Sequence, residues 1–115
     1  MRKVLVLTDL HILGTGGRIG PLDPVARFRE ALAHGLAMVP EAERVVITGD
    51  LTHNGQAAEY AVLAAELAAC PIPLHLMIGN HDDRAAFRAA FPHAPVTAEG
   101  FVQQVVDTGE YRLIL

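Results

Sequence analysis

The chain has 115 residues and a mass of 12.3 kDa, the size of one domain around one core. With 51% hydrophobic and 19% charged residues it is globular, not disordered. A net charge of −4 excludes a basic nucleic-acid footprint, and a single cysteine, Cys70, excludes an internal disulfide and fits a reducing compartment.

Val4–Leu7 is too brief for a signal-peptide core, and no apolar run approaches the ~18 residues of a membrane span. The expectation is a cytoplasmic chain with neither a membrane nor a nucleic-acid polymer as partner. Lys3–Asp9 reads as a short apolar strand ending in a carboxylate. Leu13–Pro21 holds four glycines and reads as a surface loop. Pro24–Val39 reads as a helix, because Val25, Phe28, Leu32, Leu36 and Val39 recur at three or four. Asp23 and Pro24 occupy the positions of an N-cap and a first-turn proline, and Pro40 marks the stop. Arg44–Asp50 repeats the first strand, and Gln56–Ala69 is a second helix with Tyr60, Leu63 and Leu67 on one stripe. Pro73–Asn80 is a third strand, ending in an amide. Arg84–Phe91 is a third helix, capped by Asp82 or Asp83. Residues 101–107 and 111–115 read as two strands joined by Thr108-Gly109-Glu110, a three-residue hairpin loop.

The order is therefore βαβαβα followed by a β-hairpin, an α/β class with a layered sheet and flanking helices. Continuous aliphatic strands predict a parallel sheet buried on both faces. The chain stops inside an apolar strand, Leu113-Ile114-Leu115, with no polar cap. The reading is of a single, incomplete domain over 1–115, truncated before its second half.

Ligands of open α/β sheets bind at the carboxyl ends of the strands. That rim holds Asp9 and His11, then Asp50 and His53, then Asn80, His81 and Asp82. All are hard or borderline metal ligands. In Asp9-Leu10-His11 the strand period is two, so both polar side chains point the same way and can reach one cation while Leu10 faces the core. A carboxylate such as Asp50 has two oxygens and can bridge two ions. Two divalent ions ~3.5–4 Å apart are the usual arrangement for hydrolysing phosphate esters.

At these residues the sequence resembles the calcineurin-like metallophosphoesterases. Asp9-Leu10-His11, Gly49-Asp50 and Gly79-Asn80-His81-Asp82 match the first three family motifs, D-x-H, G-D and G-N-H-D/E. Thr8 through His11, Gly49-Asp50-Leu51-Thr52 and Gly79 through Asp83 are most similar to class III cyclic-nucleotide phosphodiesterases and their glycerophosphodiesterase relatives. The resemblance implies hydrolysis of small phosphodiesters at a dinuclear centre, with a metal-bound hydroxide as nucleophile. It implies two divalent or trivalent ions drawn from Fe, Mn, Zn and Co. Asp9 and His11 would bind the first ion, Asp50 would bridge, and Asn80 would bind the second. His81 would contact the phosphate and protonate the leaving oxygen, as a general acid does. His53 keeps two readings, a substrate contact and a solvated loop residue.

The family's later motifs, a lone His and a G-H-x-H, do not occur in this sequence. Their absence keeps a second function open, a non-catalytic scaffold or interaction subunit of the same fold. A homo-oligomer is a further expectation, since an uncapped apolar strand needs a cover. A phosphoaspartyl enzyme would want a second Asp where His11 stands. Asp82 and Asp83 read as helix-capping groups.

Overall fold

The computed structural model describes residues 1–115. The chain folds in the expected order: β1 (Val4–Leu7), α1 (Pro24–Met38), β2 (Arg44–Ile47), α2 (Ala57–Leu67), β3 (Leu74–Leu76), α3 (Arg84–Ala90), β4 (Val105–Asp107) and β5 (Arg112–Ile114). The first three strands form a parallel sheet in the order β1-β2-β3, and the last two form a separate antiparallel pair. No helix is long and apolar enough to cross a membrane.

The helices begin where local chemistry starts them. Asp23 accepts a hydrogen bond from the Ala26 N–H at 3.1 Å, with Pro24 as the first helical residue. In α2 the Gln56 N–H donates to Glu59 Oε1 at 3.2 Å, one half of a capping box. Of the two adjacent carboxylates before α3, Asp83 is the cap; it accepts from the Ala86 N–H at 2.8 Å.

The expected helix stripes build the core. Phe28 and Leu32 of α1, Tyr60 and Leu63 of α2 and Phe87 of α3 are buried with Val45 and Ile47 of β2. Leu5, Leu7, Leu74 and Leu76 pack against the same cluster, so all three helices lie on one face of the sheet. That corrects the expectation of strands buried on both faces. On the opposite face Val46 is buried, but its register partner Val6 is 62% exposed. The hairpin meets the sheet beside β3 and, through Glu110 to Arg2 and Tyr111 to Glu43, at the residues leading into β1 and β2. His75 Nδ1 lies 3.2 Å from Gln104 Oε1, and Arg44 Nη1 lies 3.1 Å from His75 Nε2. A guanidinium only donates, so Nε2 accepts and Nδ1–H donates to Gln104.

The first hairpin strand is shorter than expected. A turn closed by Thr97 N–H to Phe101 O and Gly100 N–H to Thr97 O takes the chain out of extended geometry. Pairing begins only at Gln104, which exchanges two hydrogen bonds with Leu115.

Phe87 is fully buried and stacks near Phe91, with ring centroids 5.1 Å apart. Phe87→Ala is expected to cost ~3–5 kcal/mol of stability. Denaturant unfolding checks this; a loss below ~1 kcal/mol would contradict the packing described.

Candidate metal centre

The loops after β1 and β2 continue side by side beyond the strands. Asp9 N–H donates to Gly49 O at 3.1 Å, His11 N–H to Asp50 O at 3.0 Å and Ile12 N–H to Leu51 O at 3.0 Å. His53 N–H returns to Ile12 O at 3.0 Å. Within this ladder Asp9, His11 and Asp50 adopt φ values of 56°, 48° and 48°. The strand period therefore does not govern Asp9-Leu10-His11. The two polar side chains do converge, but left-handed backbone brings them together. Such conformations cost on the order of 1–3 kcal/mol each and gather at functional sites.

Two glycines admit the third loop. A Cβ on Gly49 would stand 3.0 Å from the Gly79 nitrogen, and one on Gly79 would stand 2.2 Å from Asp50 Oδ1. Gly79 thus lets the β3 loop press against Asp50. The His81 N–H then donates to Asp50 Oδ1 at 2.9 Å. This turns Asp50 Oδ2 toward His11, whose Nε2 is 3.8 Å away and also 3.7 Å from Asp9 Oδ1. Neither separation is a hydrogen bond.

Two carboxylates and an imidazole that converge without bonding one another form a cation's donor set. Ligands ~2.1 Å from a tetrahedral ion lie roughly 3.4 Å apart, so these atoms need shift by only tenths of an ångström. Asp9, His11 and Asp50 place their ligand atoms within 4.8 Å of one another, as do His11, His53 and His81. The residues present therefore fit a metal. The Thr8 hydroxyl donates to Asp9 Oδ2 at 2.5 Å and holds the Asp9 carboxyl below its ordinary range, keeping it ionised.

The sequence-predicted residues fall as follows. Asp9, His11 and Asp50 form one group, with Asp50 the most enclosed. Asn80 stands exposed on the β3 turn, one residue before the amide that binds Asp50. His81 is exposed, and its Nδ1 lies 2.8 Å from the His53 carbonyl oxygen. A carbonyl only accepts, so His81 carries its proton on Nδ1 and leaves Nε2 free. His53 lies half-buried beside His11. An apolar groove of about 600 Å³ beside β3, lined by Leu67, Leu74, Phe91 and others, holds none of these residues.

Asp82 is not a helix cap. Its Oδ1 accepts from Thr52 N–H, Thr52 Oγ1 and Tyr60 OH at 3.0, 2.9 and 3.1 Å. Its Oδ2 accepts from Leu51 N–H and Gly79 N–H at 3.0 and 2.9 Å. Burial pushes the Tyr60 hydroxyl up to about 12, so it remains a donor at neutral pH. Glu59 was also missed. It is fully buried and receives the Asn54 and Gln56 N–H groups. Its place three residues after Gln56, at the start of an apolar stripe, was the available signal.

A family model described as calcineurin-like phosphoesterase matches residues 2–111. The chain is 46% identical over 103 residues to a probable cyclic nucleotide phosphodiesterase of Rhodopseudomonas palustris, covering 90% of this chain and 38% of that protein. It is 24% identical over 110 residues to the 3',5'-cyclic adenosine monophosphate phosphodiesterase CpdA of Pseudomonas aeruginosa, covering 95% and 39%. It is 44% identical over 54 residues to the glycerophosphodiester phosphodiesterase GpdQ of Enterobacter lignolyticus, covering 47% and 19%. The chain thus spans at most about two-fifths of the length of these relatives.

In Asp82→Ala the Leu51, Thr52 and Gly79 N–H groups all lose their acceptor. Leaving such donors unpaired costs ~1–3 kcal/mol each. The variant is expected to lose at least ~2 kcal/mol and to exchange the Leu51 and Gly79 amides faster. Unchanged exchange and a loss below ~0.5 kcal/mol would contradict the role given to Asp82.

Proposed function

We propose that this chain, which belongs to the calcineurin-like phosphoesterase family, forms part of a metal-dependent hydrolase of small phosphodiesters. The observation that carries the reading is the convergence of Asp9, His11 and Asp50 on one point without bonds among them. The names of the matched relatives support cyclic nucleotides or glycerophosphodiesters as the substrate class.

Asp9 and His11 would hold a first ion, Asp50 would be shared, and Asn80 would face a second; Fe, Mn, Zn and Co all suit carboxylate and imidazole donors. Metal ions bound there supply Lewis acidity to the phosphoryl oxygens and lower the pKa of a coordinated water. On this reading the chain gives the second ion Asp50 and Asn80, and water or substrate can fill its other positions. His81 is fixed at Nδ1 by the His53 carbonyl, and its Nε2 is free for proton transfer. With Nε2 protonated, the imidazolium gives that proton to the departing alkoxide as the P–O bond breaks, and the ring returns to its neutral Nδ1–H form. Water supplies the new P–O bond, so the products are a phosphomonoester and, for an acyclic diester, an alcohol.

The natural protein carrying this chain, stripped of metal and given Mn²⁺, is expected to hydrolyse 3',5'-cyclic AMP or a glycerophosphodiester. Asp50→Ala should reduce turnover to background, and retained turnover would overturn the metal reading. His81→Ala is expected to slow a diester with an alkyl leaving group by about 10²–10⁴-fold. A p-nitrophenolate leaving group needs no proton, so the loss there should be much smaller. Equal losses on both substrates would contradict the acid role.

A further inference from the structure

The rings of His11, His53 and His81 form one group, with centroids 4.6–5.4 Å apart. His53 touches His81 through its backbone carbonyl, so that contact does not engage the His53 ring. The ring nitrogen Nδ1 instead lies 3.2 Å from Nδ1 of His11. Two imidazole nitrogens at this distance form a hydrogen bond only when one of them carries a proton.

The direction follows from the other end of His11. Its Nε2 faces Asp9 and Asp50, where a lone pair is needed to bind a cation. An imidazole that binds through Nε2 carries its proton on Nδ1, and that proton requires an acceptor. His53 Nδ1 is the acceptor within reach. The backbone explains its arrival: the ladder bond from His53 N–H to Ile12 O sets the ring beside the residue preceding Ile12.

We propose that His53 is a positioning residue for the metal centre. It accepts the Nδ1 proton of His11 and thereby fixes both the orientation of that ring and the tautomer that turns Nε2 toward the carboxylates. This rests on the reading of His11 as a metal ligand. Accepting at Nδ1 leaves the proton of the His53 ring on Nε2, which stays free for the substrate contact expected of that residue.

Mn²⁺ affinity, measured by calorimetry on the complete natural protein, tests the assignment. His53→Ala is expected to weaken binding about 10–100-fold. His53→Asn, whose Oδ1 can stand where Nδ1 stood, is expected to recover most of that loss. Unchanged affinity in His53→Ala would overturn the inference alone. Failure of the unaltered protein to take up metal would overturn the metal reading and this inference with it. A second measurement needs no variant. In the zinc-loaded protein, a through-hydrogen-bond ¹⁵N–¹⁵N coupling between His11 Nδ1 and His53 Nδ1 is expected, and its absence overturns the assignment.

Discussion

The carboxylate of Asp82 gathers five donors from three segments: the amides of Leu51 and Thr52, the Thr52 hydroxyl, the Tyr60 hydroxyl and the amide of Gly79. These segments follow β2, begin α2 and follow β3, and Asp82 ties all three together. A half-buried carboxylate that accepts this many bonds sits rigidly, and so do its donors. Asp50 is the neighbour of Leu51, and His81 is the neighbour of Asp82. The geometry of both candidate functional residues therefore depends on a side chain whose two oxygens are bonded to protein donors.

Around that joint the backbone is held in conformations that unsupported residues avoid. Asp9, His11 and Asp50 have positive φ without being glycine. The bonds from Asp9, His11 and Ile12 to Gly49, Asp50 and Leu51 restrain the two loops against each other. Close packing of Gly49 on Gly79 extends the restraint to the third loop. The three donor groups consequently face one another. Like-charged carboxylates held together are unfavourable alone and favourable around a positive ion, which is what a cation site requires.

Much of this was legible in the sequence. The element order, the cap at Asp23 and the buried Phe28, Leu32, Tyr60 and Leu63 of two helix stripes follow from periodicity and local hydrogen-bonding chemistry, which narrows the cap of α3 to Asp82 or Asp83 without choosing. The identity of the rim residues was legible because three strands end in polar groups. Their mode of convergence was not, because strand alternation says nothing about a left-handed turn at Asp9 and His11. Local chemistry assigns Asp82 a cap because it offers only local partners, whereas its donors lie 22 to 31 residues away, apart from Gly79. The exposure of Val6 was hidden for the same reason: a strand of aliphatic residues does not reveal that all three helices share one face of the sheet.

The central claim is that the loops after β1, β2 and β3 present one metal-binding cluster. Anomalous diffraction from crystals of the natural protein grown with Mn²⁺ tests it most directly. The account predicts a peak in contact with Asp9, His11 and Asp50, and a second on the Asn80 side of Asp50. Well-ordered loops with no anomalous peak at this cluster, or manganese bound only elsewhere, would contradict it.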